Sequence, residues 1–259
     1  MSDNMKFNIN TNVFKEALES IQVKGKYVSK GGLSAGKLEE VFYMKANDEN
    51  VEFWTGNNTF IVNINVDAEV EEKGDYIGKM NDILPYLKKF GETVTVHSNE
   101  FLTLSSGGKK ASVPRVIEWA NLVSITRMGE RLTAIPFELD PKNLPNIGKA
   151  TMEAAFAITN ETLTDVISSC EIVGSGVYKI EVTDESVKFS SRDTQTNSFE
   201  QTIETLLKVG EPATVEFSGP LHKFFKKDQA LIVYSLDDAP VIIIADDRRL
   251  VKAPYIAGV

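Results

Sequence analysis

Apolar and polar residues alternate with period two through much of this chain, and one alternating stretch occurs twice. Asp48-Glu49-Asn50-Val51-Glu52-Phe53 returns 136 positions later as Asp184-Glu185-Ser186-Val187-Lys188-Phe189. In each copy an acidic turn leads into a segment whose Val and Phe share one face while a charged residue takes the other. That is the pattern of a half-buried strand. The flanks match as well, so the chain reads as an internal duplication.

The first half opens on a strand at 6–10. Thr11 or Asn12 then caps a helix with Val13, Phe14, Ala17, Leu18 and Ile21 at helical spacing. Residues 24–37 are a loop rich in glycine and lysine, followed by predicted strands at 38–46, 51–55 and 59–66 with polar turns between them. After the acidic 69–75 segment a second helix is expected, capped by Asn81. Ile83, Leu84, Leu87 and Phe90 form its apolar face, Lys88 and Lys89 lie off that face, and Pro85 sits in its first turn. Strands at 92–97, 101–105 and 110–114 close this half.

The second half repeats the order. A strand at 154–158 leads to a helix capped by Asn160, with Leu163, Val166, Ile167 and Cys170 on one face. Strands follow at 177–182, 187–190, 198–203 and 214–217. Pro220 opens a short helix at 221–227, and strands at 231–234, 241–245 and 250–252 end the chain. The predicted fold class is α+β, with two domains of similar topology, residues 1–115 and 151–259. Residues 116–150 join them as a proline-bearing connector with room for an extra strand.

Composition sets limits on this reading. The chain has 259 residues, 42% hydrophobic and 25% charged, enough for two ordinary cores. No apolar run is long enough to span a membrane and no signal-peptide pattern opens the chain, so an intracellular location is expected. The single cysteine, Cys170, has no disulfide partner within the chain. The net charge of −9 repels nucleic acid, so any DNA contact requires a local basic face.

Catalytic chemistry is not legible. His97 and His222 have no Cys or His at metal-ligand spacing, so no metal site is predicted. Gly107-Gly108-Lys109-Lys110 lacks the frame of a phosphate-binding loop, and Gly174-Ser175-Gly176 lacks the third glycine of a dinucleotide fingerprint. Cys170 falls on an apolar stripe, and the acidic pairs Glu71-Glu72 and Asp246-Asp247 read as solvated turns. No catalytic residues and no cofactors are assigned, and the chain is not expected to be an enzyme.

Three stretches carry a resemblance. They are the opening Met5-Lys6-Phe7-Asn8-Ile9 with Phe14-Lys15-Glu16-Ala17-Leu18, the segment Ala213–Phe217 with Pro220–Lys227, and the end, Leu236-Asp-Asp-Ala-Pro240-Val-Ile-Ile-Ile with Leu250-Val-Lys-Ala-Pro254-Tyr-Ile256. They resemble DNA sliding clamps of the proliferating-cell-nuclear-antigen type, found in archaea, eukaryotes and some viruses. The resemblance implies a clamp-fold subunit in a homotrimeric ring at replicating DNA, with helices lining the hole and sheets outside. It implies partners too: double-stranded DNA without sequence preference, a DNA polymerase, a clamp loader, and replication or repair proteins bearing a glutamine–aliphatic–aromatic motif. The alternative within the same fold is a checkpoint-type or heteromeric clamp subunit without a polymerase role.

Site residues follow from the resemblance and from the residue pattern together. Lys15, Lys79, Lys88, Lys89, Lys223, Lys226 and Lys227 are expected to meet DNA phosphates, with Lys24, Lys26 and Lys30 as possible loop contributors. The third helix departs from the family in carrying Glu161, Thr164, Asp165 and Ser168 and no basic residue. The family's docking pocket maps onto Ile135, Pro136, Pro240, Val251, Ala253, Pro254 and Ile256, with Val251 where the family usually has an aromatic residue. The subunit interface maps onto Lys110, Ala111, Ser112 and Val113 of one copy and Ser198, Phe199, Glu200 and Gln201 of the next.

Overall fold

The computed structural model describes residues 4–22, 40–57, 59–116, 127, 130, 135, 142, 144–147, 150–194, 196–219 and 221–255. The chain divides into two units, Met1–Asn57 with Ile61–Glu130, and Asn58–Phe60 with Arg131–Val259. The first unit runs β1 (Met5–Asn10), α1 (Thr11–Ile21), β2 (Val41–Ala46), β3 (Asn50–Gly56), β4 (Phe60–Asp67), β5 (Glu69–Glu72), β6 (Gly74–Lys79), α2 (Met80–Leu87), β7 (Thr93–Ser98), β8 (Phe101–Ser106) and β9 (Lys109–Pro114). Its strands form an antiparallel sheet in the order β5-β1-β7-β8-β9. A second set pairs as β4-β3-β2-β6.

A short hairpin, β10 (Asn146–Ile147) and β11 (Ala150–Thr151), precedes the repeat. The second unit then runs β12 (Ala154–Thr159), α3 (Asn160–Val173), β13 (Val177–Val182), β14 (Val187–Arg192), β15 (Ser198–Ile203), β16 (Leu207–Gly210) and β17 (Ala213–Ser218). A 3-10 turn at His222–Phe224 leads to β18 (Ala230–Ser235), β19 (Val241–Ile244) and β20 (Arg248–Lys252). Its strands pair as β16-β12-β18-β19-β20 and as β15-β14-β13-β17, matching the first unit strand for strand.

The duplication extends to single hydrogen bonds. Asn10 caps α1 through its side chain and Thr159, at the equivalent position, caps α3. The next residue donates its N–H to the segment before the seventh strand of its unit: Thr11 to Glu92 O at 2.8 Å, Asn160 to Gln229 O at 2.9 Å. The turns of the repeated motif close the same way, Asn47 N to Asn50 O and Thr183 N to Ser186 O, both at 2.9 Å. Val51, Phe53, Val187 and Phe189 are all buried, as the alternation requires.

Aromatic residues fill both cores. Phe14 of α1 packs on Phe7 and Phe53 with ring centroids 6.5 and 5.3 Å away. In the second unit Phe156 meets Phe189 edge-on at 6.4 Å. Each such side chain contributes about 1.5–3 kcal/mol by leaving water.

Several expectations need correction. The caps lie earlier than predicted, at Asn10 rather than Thr11 or Asn12 and at Thr159 rather than Asn160, because the capping side chain belongs to the last extended residue. Asn160 instead is buried and donates to His222 O and Phe225 O at 3.2 and 3.1 Å. Asn81 does not cap α2; Lys79 occupies that position without a side-chain bond. Pro85 is the sixth helical residue, and its missing N–H removes the intrahelical donor that would meet Asn81 O. The expected helix at 221–227 is only the three-residue 3-10 turn, so Lys226 and Lys227 lie beyond it. The acidic 69–75 segment contains two strand pieces rather than none: β5 is a short acidic edge, the kind that discourages further pairing. The short edge strand β16 also goes beyond the prediction, and Gly210 ends it where φ is +92° and a Cβ would sit 2.0 Å from Glu153 O.

Candidate nucleic-acid interface and docking face

Lys15 is half-buried on α1, which also carries Glu16 and Glu19. Lys79, Lys88 and Lys89 are exposed around α2. Lys88 and Lys89 follow its last turn, where their N–H groups bond Leu84 O at 3.3 Å and Tyr86 O at 2.8 Å. Cations are favoured there by the helix dipole. Among the described residues of α3, none is basic, and Glu161, Asp165 and Ser168 are exposed.

In the second unit Lys223 is exposed, and two of the expected lysines, Lys226 and Lys227, meet acids. Lys227 Nζ lies 3.4 Å from Glu161 Oε1, and Lys226 Nζ lies 3.4 Å from Asp247 Oδ2. Burial acts to raise the Asp247 pKa, but Arg248, Gln229 and Lys226 together hold it below the usual carboxylate range. Arg248 grips that carboxylate at 2.9 and 3.3 Å and also donates to Phe224 O at 2.9 Å. His222 adds no charge to this region, because burial, helped by Lys223 and opposed by Glu171, pushes its imidazole down to about 4. Lys24, Lys26 and Lys30 lie outside the described residues.

The outer faces of the two equivalent sheets differ sharply. In the first unit, strand pairing places Lys6, His97, Thr103 and Ser112 in one row and Asn8, Thr95, Ser105 and Lys110 in the next. This face is polar apart from Phe101 at its rim. In the second unit the matching rows are Ala155, Tyr234, Ile242 and Val251, then Ala157, Ile232, Ile244 and Arg249. Ile135 and Met152 close over this apolar face, and Leu144, Ala157, Val209, Leu236 and Val251 remain partly exposed around it. Arg249 is buried and donates from Nη1 to Ile135 O, fastening that residue to the sheet.

Of the predicted pocket residues, the structure thus joins Ile135 and Val251 in one cluster. Pro240, Ala253 and Pro254 are half-buried outside it, and Pro136 and Ile256 lie outside the described residues. The tail is held by Ala253 N to Thr59 O at 2.8 Å and Tyr255 N to Glu216 O at 2.7 Å. Sequence reasoning missed Leu236, Val209, Leu144 and Arg249. The signal was present in the equivalent strands Met-Lys-Phe-Asn-Ile-Asn and Ala-Ala-Phe-Ala-Ile-Thr, which share their buried positions and exchange polar residues for alanine on the other face.

β9 and β15 each end a sheet. On β9, Ala111 and Val113 are buried while Lys110 and Ser112 are exposed; on β15, Ser198 and Glu200 are exposed while Phe199 and Gln201 are half-buried. α2 lies against β9 and α3 lies over β14 and β15. Each of these helices exposes one large apolar side chain, Tyr86 at 44% and Ile172 at 86%. Among the described residues no group of three or more His, Cys, Asp or Glu could hold a metal ion.

A duplicated α+β unit with an antiparallel sheet on each side and its helices packed into the core is the sliding-clamp fold, and this chain has it. The DNA polymerase III β subunit of Thermotoga maritima superposes with a TM-score of 0.73 at 14% identity, over 98% of this chain and 66% of that one. A. fulgidus PCNA, bound to the C-terminal region of FEN-1, superposes at 0.68 with 12% identity, over 98% of this chain and 100% of that one. The Helicobacter pylori β clamp bound to a DNA ligase peptide gives 0.67 at 9% identity, over 98% and 67%. The chain therefore spans about two thirds of the bacterial subunits and the whole of the PCNA chain. No protein-family model matches the sequence, and no curated protein matches it.

Proposed function

We propose that this chain is a processivity clamp: a head-to-tail homotrimeric ring around duplex DNA that tethers a polymerase and docks other replication or repair proteins by short peptides. In this reading residues 116–150 connect clamp domains 1–115 and 151–259. The observation that carries the proposal is the apolar outer face of the second unit's five-stranded sheet, built where its duplicate in the first unit is polar. Ring assembly is supported by two open six-residue edges, β9 and β15, each beside a helix with an exposed apolar side chain. Pairing different edges head to tail closes a ring when the rotation fits.

A second reading, a subunit of a heteromeric clamp with a lesser role on DNA, draws on the acidic face of α3 and the neutralised Lys226 and Lys227. Sedimentation equilibrium separates the two. A mass three times the 28.7 kDa chain supports the homotrimer, whereas a monomer that assembles only with a second clamp-fold chain supports the heteromer.

A further inference from the structure

We propose that Lys109 joins Lys88 and Lys89 in one phosphate-contact patch, and that this patch, in the first unit, carries most of the chain's affinity for duplex DNA. The inference rests on the clamp reading above.

The pleat decides which lysine of β9 belongs. Phe7, Val96, Leu104 and Ala111 are paired in one row across β1, β7, β8 and β9, and Phe7 packs on Phe14 of α1. Lys109 is two residues from Ala111 and therefore shares the helix side, whereas Lys110 shares the outer side with Ser112. The hairpin between β8 and β9 is closed by Gly107 and Gly108, with φ of +54° and +80°, the conformation of a tight two-residue turn. Ser106 Oγ donates to Thr93 O at 2.6 Å and accepts from Gly91 N at 3.1 Å, which pins the hairpin to the segment after α2. Lys109 Nζ donates to Lys89 O at 2.5 Å. The ammonium thus sits at the end of α2 and keeps further protons for an anion.

Charge separates this patch from Lys226 and Lys227 of the second unit. Lys88, Lys89 and Lys109 are all exposed, and among the described residues none of them pairs with a carboxylate. Lys226 and Lys227 each have an acid at 3.4 Å. A phosphate that replaces such an acid must first break an ion pair, so it releases fewer counterions and adds less to affinity. Glu92 is the nearest acid in sequence to the patch, and among the described residues its exposed carboxylate makes no ion pair with these lysines. The partner that fits is a sequence-independent polyanion with phosphates spaced along a backbone, as in duplex DNA.

The test measures binding of the full-length protein to a mixed-sequence duplex between 50 and 200 mM salt. Lys88→Gln, Lys89→Gln and Lys109→Gln should each lower the log–log salt slope, by at most about 0.9 per lost contact. Lys109→Arg should retain the slope, and Lys226→Gln and Lys227→Gln should change it less. Thermal melting identifies any variant that has lost its fold. An unchanged slope for Lys109→Gln beside lowered slopes for Lys88→Gln and Lys89→Gln removes Lys109 from the patch. Larger losses at Lys226 and Lys227 overturn the concentration of affinity in the first unit. A wild-type protein without salt-dependent duplex binding overturns the clamp reading itself.

Discussion

Tyr234 stands where His97 stands one repeat earlier, the fifth residue of its strand, and the two differ in what lies over them. His97 is half-buried in a polar row with Lys6 and Thr103. Tyr234 is 1% exposed, flanked by Ala155 and Ile242 and covered by the cluster that contains Ile135. The buried halves of both strands are interchangeable; the outer halves are not. A duplicated scaffold has kept its core and altered one face, which is how a binding site is added without changing a fold.

Docking on that face predicts an asymmetric response to mutation. Leu236→Ala and Val251→Ala together should weaken binding of a glutamine–aliphatic–aromatic peptide at least tenfold, about 1.4 kcal/mol or more. Both side chains are partly exposed, so the melting temperature should move little. Ser112→Ala, the counterpart of Val251 in the first unit, should have no effect. Calorimetry reads all three, and equal affinities for wild type and the double variant would put the docking site elsewhere.

The open edge of β15 can be assigned residue by residue. Asp193 N donates to Asn197 O at 3.0 Å, so that pair is hydrogen-bonded, and so by alternation are Phe199, Gln201 and Ile203 with β14. Ser198, Glu200 and Thr202 then present their N–H and C=O groups outward. Thr202→Pro removes an outward donor and should convert the assembly to monomers while the β14–β15 hairpin survives. Ile172→Asp, at a position 86% exposed in the single chain, should weaken assembly without destabilising the fold. If both variants sediment with three copies' mass, the seam lies elsewhere.

Equivalent caps should have equivalent worth. Asn10→Ala and Thr159→Ala each remove the acceptor for helical N–H groups, from Asn12 and Val13 in one case and from Thr162 in the other. Each should cost about 1 kcal/mol, and the double variant should cost their sum, since the sites share no partner. Chemical denaturation measures this; a clearly unequal or non-additive pair would mean that the two helices are not held alike.

The sequence made the strands legible because period-two alternation is imposed by burial on one face, as at Val51 and Phe53 or Val187 and Phe189. It did not reveal β5 or β16, because four-residue edge strands rich in charge or glycine bury too little to leave a pattern. The lysines at 223, 226 and 227 looked like one helical face because spacing alone was available. The acids that meet Lys226 and Lys227, Asp247 and Glu161, are distant in sequence and become neighbours only through folding. The outer-face contrast was legible in principle, since Lys6 and Asn8 align with Ala155 and Ala157, but only once the register of the repeat was known.

His222 makes stability depend on pH in a defined window. The residue is 7% exposed, its Nδ1 has no hydrogen-bond partner among the described residues, and its pKa is about 4 rather than 6.5. Burial is the main cause, Lys223 adds to it, and Glu171 acts in the opposite sense. Between those two values the unfolded chain binds a proton that the folded chain refuses. Stability is therefore fully present above about 6.5 and is lost progressively as pH falls towards 4. The loss is on the order of 3 kcal/mol, at about 1.4 kcal/mol per pH unit across the window. Asp247, held below the usual carboxylate range, loses its contribution at lower pH and does so in wild type and variant alike. Subtracting the pH–stability curve of His222→Gln from that of wild type should leave a slope confined to this window. Lys223→Gln, which keeps the imidazole and removes the adjacent charge, should move the lower edge of the window upward, and nuclear magnetic resonance titration of the ring reads that shift directly. A His222 ring that titrates near 6.5 in the folded protein would show that it is not buried as a neutral group.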